Sequence, residues 1–343
     1  MLLLPNEVDD SPGQVQRGPR DALAALAADG RVDAVEVVSF LQVRAADPDG
    51  WADHLVDVAE GFGPDVIVWQ HVEEGPLPTS LPARLAAVSS RPLLVYQDGD
   101  AYGVLRKPIP PAMATVVAAA DLVLAAGGGA IARAYRRAGA ARVRLMPPVV
   151  DARFAGGWEP SDARPDEVVM IASRVATRVP AIPALPGGLS RDRLVRGLHR
   201  AFGAGFALYG RGWDSPSARG PIAYTEQHRV LRDGWVSVGW NHFPRAAFAA
   251  SDRLPIAMSA GVVHVTNRIV GAPRWLAECP GVLMAGTPGE AVELVRIALS
   301  LPRDELIRMG EQAREVALEH LDPVRVWAGA LDVVDRLRGH LRS

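Results

Sequence analysis

The chain has 343 residues, 49% of them apolar, and its formal net charge at pH 7 is −2. This length exceeds the size at which a single core usually stops growing, so we expect two domains of roughly 150 residues each. A near-neutral charge gives no electrostatic reason to expect nucleic acid or an anionic membrane as a partner. All but one of the 37 basic residues are arginine, Lys107 being the exception, so a lone arginine is weak support for a site.

Cys279 is the only cysteine, which excludes an internal disulfide and any cysteine-based metal cage. A single thiol suits a reducing compartment, and we expect a cytoplasmic protein. Residues 1–5 are too short an apolar run for a secretory signal. The apolar stretch 114–132 is interrupted by Asp121 and by glycines 127–129, so no transmembrane helix is predicted.

In the first half, short β-branched or Leu-rich runs alternate with Ala-rich helical stretches. The predicted strands are residues 2–4, 34–40, 66–70, 92–97, 122–125 and 143–146. The predicted helices lie near residues 19–29, 51–61, 79–89, 110–120 and 128–138. This alternation predicts a parallel sheet covered on both faces by helices. The glycines at 127–129 lack the full dinucleotide-binding spacing, so a dehydrogenase is a weak alternative.

Pro147, Pro148 and the polar stretch 151–166 predict a linker, after which the pattern restarts. The predicted strands are residues 167–172, 205–209, 235–238, 262–266 and 282–284. The predicted helices lie near residues 190–202, 252–260, 288–299, 303–320 and 323–341. We therefore expect two Rossmann-like domains, over residues 1–150 and 151–322, followed by a C-terminal helical segment over 323–343.

The most informative stretch, residues 235–267, predicts two buried strands joined by a polar loop and a helix that begins at Ser251. Asp252 and Arg253 lie in its first turn. A helix N-terminus carries unpaired N–H groups and a partial positive charge, which favours a phosphate. Arg253 adds a planar donor suited to phosphate oxygens.

This Ser-Asp-Arg-Leu helix start, with Gly261 eight residues after the Arg and a strand ending Thr-Asn, resembles the donor-binding half of GT-B glycosyltransferases. It is similar to the spore-maturation-protein group of family-one-like transferases. The resemblance implies two Rossmann-like parallel-sheet domains that face each other across a cleft. It also implies that the last helix packs back on the first domain, which would bind the acceptor, while the second domain would bind a nucleotide-diphosphate sugar.

Ligands of open α/β sheets bind beyond the carboxyl ends of the strands, so residues that follow strands are donor-site candidates. Arginines there would neutralise a diphosphate, glycines would allow close approach, and a tryptophan could either stack on a base or cap the core. An isolated histidine could equally be structural, and Asn267 could instead cap the next loop. The predicted donor-binding residues are Arg174, Arg178, Gly210, Arg211, Trp213, His242, Ser251, Asp252, Arg253 and Asn267.

One position departs from the resembled pattern. A glutamate that binds the nucleotide ribose is expected shortly after Arg253, but Pro255 and Ile256 stand there. Either Asp252 makes the ribose contact or the donor lies differently. Pro255 is tolerated because it falls in the first helical turn.

The predicted catalytic residues follow the third and fourth strands of the first domain: Asp98, Asp100, His71 and Glu73. The Gly-Asp-Ala-Tyr segment around Tyr102 resembles one common in the same group. One carboxylate of the Asp98/Asp100 pair could act as base, or the segment could form an Asx-turn and helix cap. His71 or Glu73 could deprotonate an acceptor, since histidine titrates near neutral pH, or His71 could simply pack. Gly13, Gln14 and Tyr102 are the predicted acceptor-binding residues, whereas Asp9 and Asp10 in the same loop are expected to be solvated.

Asp98-Gly-Asp100 also spells a manganese signature of the other glycosyltransferase fold, but we expect no metal and no cofactor, because arginines are available to neutralise phosphate. The expected function is metal-independent transfer of a hexose to a small natural product, a glycan precursor or a carrier-bound acceptor. The alternatives are a nucleotide-sugar epimerase or hydrolase, and a catalytically silent nucleotide-sugar-binding protein. The sugar, the stereochemical course and the oligomeric state do not follow from the sequence.

Overall fold

A computed structural model describes residues 1–5, 18–72, 77–103, 107–151, 154, 163–175 and 185–342. The chain divides into two compact units, Met1–Pro147 with Pro323–Ser343, and Pro148–Asp322. Each unit contains one parallel sheet flanked by helices. The predicted α/β class is confirmed.

Unit 1 has a six-stranded sheet in the order β2-β1-β3-β4-β5-β6. All described pairings in it are parallel. Its strands are β1 Leu2–Leu4, β2 Glu36–Val37, β3 Val66–Gln70, β4 Leu93–Asp98, β5 Leu122–Ala125 and β6 Val143–Leu145. Its helices are α1 Gly18–Ala28, α2 Phe40–Ala46, α3 Trp51–Phe62, α4 Leu81–Ala86, α5 Pro111–Ala119, α6 Ala130–Arg137 and α13 Pro323–Arg342.

The predicted strand 34–40 is wrong for most of its length. Only Glu36 and Val37 pair, and Phe40 opens helix α2. The Ser39 side chain accepts a 3.3 Å hydrogen bond from Gln42 N, which satisfies one of the first-turn N–H groups of that helix. Phe40 is buried in the core, where its ring lies edge-on to that of Trp69 with the ring centres 5.8 Å apart.

Helix α13 completes one face of the unit 1 sheet. Trp327, Leu331 and Val334 are buried in one cluster with Leu23 of α1 and Val68 of β3. Arg31 also forms ion pairs with Asp332 and Asp335, at 2.9 and 2.6 Å. These pairs are exposed and contribute little, so the apolar contacts hold the helix in place.

Unit 2 has a five-stranded parallel sheet in the order β11-β10-β9-β7-β8. Its strands are β7 Asp166–Ile171, β8 Phe206–Tyr209, β9 Gly234–Val238, β10 Val263–Asn267 and β11 Val282–Ala285. Its helices are α7 Gly188–Phe202, α8 Gln227–Arg232, α9 Arg253–Ser259, α10 Arg274–Ala277, α11 Pro288–Leu299 and α12 Arg303–His320. Helices α2, α8 and α10 were not predicted.

Strand β7 shows why this sheet is covered on both faces. Val168 and Met170 lie in a cluster with residues of α7 and α11, while Val169 and Ile171 lie in the opposite cluster with residues of α9 and α12. Successive side chains of a strand point to opposite faces, so a strand buried on both faces is apolar throughout. β7 pairs with both β8 and β9, which makes its carboxyl end the point where the strand order reverses and where a ligand crevice is expected.

Candidate donor site

Two loops of unit 2 leave the sheet side by side, after β7 and after β8. Ala172 N donates to Tyr209 O and Arg174 N donates to Arg211 O, both at 2.8 Å. Arg211 N also donates to Ser173 Oγ at 3.3 Å. The strand pairing thus continues past the sheet edge and fixes both loops.

Gly210 is required for this close approach. Its φ is +134°, and a Cβ there would lie 2.1 Å from Ala172 O. A Cβ at Gly212 would lie 2.4 Å from Arg174 O. Any side chain at either position would push the loops apart, so the glycine spacing defines the wall of the crevice.

The crevice at these loops is a cleft of about 220 Å³. Residues of strand β7, of the loops after β7 and β8, and of helices α8 and α9 line it: Ile171, Ala172, Ser173, Gly210, Arg211, Pro221, Ile222, Gln227 and Arg253. Of the predicted donor-binding residues, Gly210, Arg211 and Arg253 are brought together here. Apolar side chains form part of the wall, and two arginines supply positive charge.

Arg253 lines this cleft and carries one unpartnered donor atom. Its Nη1 lies 3.3 Å from Asp252 Oδ1, while its Nε is buried and has no hydrogen-bond partner among the described residues. A buried donor without a partner costs free energy, which an acceptor on a bound ligand would recover. Arg253 is therefore suited to bind an anion.

The helix that carries Arg253 differs from the predicted one. It begins at Arg253, two residues after Ser251, with Asp252 at its N-cap, and it has only seven residues. So short a helix carries a small macrodipole. The Arg253 side chain, more than the helix terminus, is the source of positive charge at this end of α9.

Sequence reasoning missed Arg191, a buried residue of α7. Its Nε donates to Trp240 O at 3.0 Å and its Nη1 donates to Ser173 O at 3.1 Å. The pKa of Arg191 is lowered to about 9, mainly by burial and also by the nearby charge of Arg253, while Asp192 opposes the shift. Arg191 thus ties the loop after β7 to the loop after β9 and adds positive charge near Arg253.

Arg174 does not line the cleft, because it pairs with Asp192. Its Nε lies 3.1 Å from Asp192 Oδ1 and its Nη2 lies 3.2 Å from Oδ2. The predicted phosphate contact would require Arg174 to leave this carboxylate.

Trp213 also lies away from the cleft lining. Its Nε1 donates a 2.5 Å hydrogen bond to Ala172 O, and its ring packs against the core cluster on the α7 face of the sheet. Of the two roles that the sequence left open, the structure favours capping the core.

The polar residues around the ends of β9 and β10 form hydrogen bonds with one another. Asn267 Oδ1 accepts from Asn241 N at 2.6 Å, and Asn241 Oδ1 accepts from Ser251 N at 3.2 Å. Asn241 Nδ2 donates to Ala249 O at 3.2 Å. The carbonyl of His242 accepts from Gly187 N at 2.8 Å. Asn267, Ser251 and the His242 backbone therefore shape the loop that leads to Arg253, and a ligand contact by them stays a prediction.

Ile256 is 1% exposed and belongs to the core cluster on the α9 face of the sheet. An apolar residue at this position therefore packs into the core and makes no polar contact.

Candidate catalytic cluster

In unit 1, His71 follows β3 and Asp98 ends β4, the neighbouring strand. His71 Nδ1 lies 2.9 Å from Asp98 Oδ1. The His71 side chain is 17% exposed, whereas that of Asp98 is 0% exposed. The backbone of His71 has a φ of +30°, an uncommon conformation for a residue with a side chain.

Asp98 is held from several sides. It accepts hydrogen bonds from Asp100 N at 2.8 Å and from Tyr135 Oη at 2.5 Å. Tyr96 Oη lies 3.5 Å from its Oδ2. Because the Asp98 side chain has no exposed surface and contacts His71, the structure favours a role in orienting His71 over direct contact with an acceptor hydroxyl.

The Asp100 side chain of this cluster is exposed, whereas Tyr102 is buried. Asp100 Oδ2 forms a 2.8 Å ion pair with Lys107 Nζ, which also lies 4.0 Å from the centre of the Tyr102 ring. The Tyr102 and His71 rings are 5.7 Å apart. The backbone bond from Asp100 N to Asp98 Oδ1 is the predicted Asx-turn geometry.

Four predicted site residues, Glu73, Arg178, Gly13 and Gln14, lie outside the described residues. Within the described part of the chain, no group of three or more His, Cys, Asp or Glu side chains is arranged to hold a metal ion. No described helix is both long enough and apolar enough to cross a bilayer.

Comparison with known proteins supports the fold assignment. Two α/β units, each with one parallel sheet, are the architecture of the GT-B fold. Residues 191–332, less than half of the chain, match the family model for a glycosyl transferase-like domain. The resemblance to GT-B glycosyltransferases is confirmed at this level, while nothing specifically supports the spore-maturation group.

Several solved structures share the fold. Anabaena Alr3699/HepE in complex with UDP and glucose is 16% identical, with a TM-score of 0.61, over 98% of this chain and 99% of that one. A glycosyltransferase from Rickettsia africae ESF-5 is 9% identical, with a TM-score of 0.57, over 98% and 97%. An α,α-trehalose 6-phosphate synthase from Burkholderia multivorans is 14% identical, with a TM-score of 0.53, over 95% and 82%. No curated protein is similar enough in sequence to be matched.

Proposed function

We propose that the protein is a metal-independent glycosyltransferase that transfers a hexose from a nucleotide-diphosphate sugar, bound in unit 2, to an acceptor bound by unit 1. The observation that carries the proposal is the cleft beside β7 and β8, with the unpartnered Nε of Arg253 in its lining. A fixed guanidinium at this place would bind the donor diphosphate and stabilise the charge that develops on it as it leaves.

The comparisons support a uridine nucleotide as the first donor to test. HepE, a structural neighbour over nearly all of both chains, has been crystallised with UDP and glucose. The glycosyl transferase-like match covers Arg191, Gly210, Arg211 and Arg253.

In the proposed reaction, the bond between the anomeric carbon and the diphosphate oxygen breaks, and the acceptor oxygen bonds to that carbon. The diphosphate leaves with the bonding electron pair, and its charge is balanced by Arg253 and Arg211. The acceptor hydroxyl gives its proton to His71, which Asp98 orients through the 2.9 Å contact to Nδ1. Asp100 and Tyr102 would position the acceptor.

The proposal includes a small-molecule or carrier-bound acceptor, such as a natural product. It also includes a cytoplasmic location, which the free, buried Cys279 thiol suits.

Thermal-shift and calorimetric titration would test the donor site, with UDP, ADP, GDP, CDP and dTDP, and with EDTA or magnesium. A nucleotide at 100 times its Kd stabilises the protein by about 2.7 kcal/mol. We expect one nucleoside diphosphate to stabilise the wild type equally with EDTA and with magnesium, and Arg253→Ala to lose the effect. Arg274→Ala, which alters a side chain that is 86% exposed, is the matched control.

The outcomes separate the candidate functions. If no nucleotide stabilises the protein, the proposed donor site is wrong. Stabilisation only with magnesium would overturn metal independence. Binding without release of diphosphate from any donor sugar, with a panel of acceptors present, would favour the silent binding protein.

A further inference from the structure

Gln227, another residue of the cleft lining, also carries a buried polar atom that has no partner among the described residues. It is the first residue of α8 and lines the cleft together with Arg253. Its Oε1 is buried and accepts no hydrogen bond from any described residue. Two residues of the cleft lining, Gln227 and Arg253, therefore each carry one buried side-chain atom, an acceptor and a donor respectively, without a hydrogen-bond partner among the described residues.

These two atoms constrain the ligand. The acceptor on Gln227 requires an N–H or O–H group, whereas Arg253 and Arg211 require an anion. Pro221, Ile222 and Ile171 add apolar wall to the same cleft. A ligand that fits all three features combines an anionic part, a part with an apolar face, and a hydrogen-bond donor.

A nucleoside diphosphate has this composition, because its ribose hydroxyls and the ring N–H of some bases are donors. Resting on the proposed function, we propose that Gln227 Oε1 accepts a hydrogen bond from the nucleoside part of the donor substrate. Gln227 is then the specificity residue that distinguishes a nucleotide from diphosphate alone.

The other side chains near the cleft leave this role to Gln227. Among the described lining residues, Ser173 is the only other one with a side-chain acceptor, and its Oγ already accepts from Arg211 N. On α9, Leu254, Pro255 and Ile256 are buried and apolar. Helix α8 packs against α9. Gln227 therefore supplies a polar side chain next to these three apolar residues of α9.

Calorimetric titration with UDP and with inorganic pyrophosphate tests the assignment. We expect Gln227→Ala to raise the Kd for UDP about tenfold, the size of one hydrogen bond made in a buried site. Its Kd for pyrophosphate should stay within about twofold of wild type. Arg253→Ala should weaken both ligands. Gln312→Ala is the matched control, because Gln312 Oε1 is also buried without a partner but lies on α12, outside the cleft lining.

Three UDP analogues identify the donor group. If a ribose hydroxyl bonds to Gln227, 2′-deoxy- or 3′-deoxy-UDP binds wild type weakly and is insensitive to Gln227→Ala. If the ring N–H of the base bonds to Gln227, N3-methyl-UDP binds wild type weakly and is insensitive to Gln227→Ala. Sensitivity retained with every analogue would overturn the hydrogen bond.

Two other results would also overturn the assignment. One is an unchanged Kd for UDP in Gln227→Ala, and the other is an equal loss of UDP and pyrophosphate affinity. Thermal unfolding of each variant checks that the cleft is still folded. If wild type binds pyrophosphate but not UDP, the nucleotide proposal itself fails, a result that differs from the failure of Gln227 alone.

Discussion

Tyr135 Oη donates a 2.5 Å hydrogen bond to Asp98 Oδ2, on the side of the carboxylate away from the oxygen that contacts His71. Burial raises the pKa of Tyr135, and the charge of Asp98 raises it further. The same two causes, in the same order, raise the pKa of Tyr96. Both phenols therefore remain protonated donors, and the carboxylate is fixed before any acceptor arrives.

Removal of His71 should abolish most turnover while donor binding persists. With a positioned base lost, we expect His71→Ala to lower kcat by about 10²- to 10⁴-fold, with the Kd for UDP unchanged, as measured by diphosphate release and by calorimetry. His54→Ala, at an exposed position of α3, is the matched control. Tyr135→Phe should lower kcat less, without changing the donor KM. Full activity in His71→Ala would remove it from the mechanism.

Loss of Arg191 should destabilise unit 2 and weaken the donor site together. Arg191→Met leaves the buried carbonyl of Trp240 and the partly buried carbonyl of Ser173 without this donor. We expect a loss on the order of 3 kcal/mol in the free energy of unfolding, measured by urea denaturation, and weaker UDP binding. Arg193→Ala, exposed on the same helix, should change neither quantity. Wild-type stability in Arg191→Met would show that these contacts contribute nothing.

A methyl group at Gly210 should separate the loops that form the cleft. Gly210→Ala places a Cβ 2.1 Å from Ala172 O, whereas at Gly220, with φ +85°, a Cβ would meet no atom within 4 Å. Gly220→Ala should cost about 1 kcal/mol through backbone strain alone. Gly210→Ala should lower the unfolding temperature further and abolish UDP binding. Equal effects of the two substitutions would show that close approach at Gly210 is unimportant.

Unit 2 should lose stability as the pH falls from about 6.5 to about 4. Burial lowers the pKa of His264 to about 4. Burial also lowers the pKa of His228 to about 4, aided by the charges of Arg232 and Arg314 and opposed by a hydrogen bond to the Ser259 backbone. The unfolded chain binds more protons than the folded one in this window, so stability is fully present above pH 6.5 and decreases with acidification, by about 3 kcal/mol per histidine.

The variant His264→Asn tests the pH dependence. Asparagine keeps a donor toward Ser237 Oγ, which lies 2.8 Å from His264 Nδ1, but it does not titrate. Urea denaturation measures the free energy of unfolding at pH 4.5 and at pH 7.5. The difference between the two values should be smaller for this variant than for wild type. His54→Asn is the control. An unchanged difference in His264→Asn would exclude His264 as a contributor.

Much of the fold followed from the sequence because its main strands are buried on both faces. The run Val168 to Ile171 is apolar without interruption, and such runs are recognisable without knowledge of their partners. Helices α2, α8 and α10 have four to seven residues, too few to show a helical period. Phe40 was assigned to a strand because an apolar residue in a short run does not reveal which element buries it.

The site was harder to predict because its important residues are distinguished by burial. Arg253 was identified from a motif, but Arg191 looked like any of the many arginines of this chain. The predicted strand ended one residue before Asp98, which is the last residue of β4, and only the structure shows that Asp98 contacts Tyr135 and His71. Gln227 carried no signal at all, since an amide is notable only when its carbonyl is buried without a partner.

The position of helix α13 has a consequence for biosynthesis. Trp327 and Leu331 fill the core of unit 1, yet they are translated after the whole of Pro148–Asp322. During synthesis of unit 2, the sheet that begins with Leu2 therefore lacks the part of its apolar cluster that α13 supplies. Unit 2, which is one continuous segment, is free to fold first, so chaperones would meet the early half of this protein for longer than the late half.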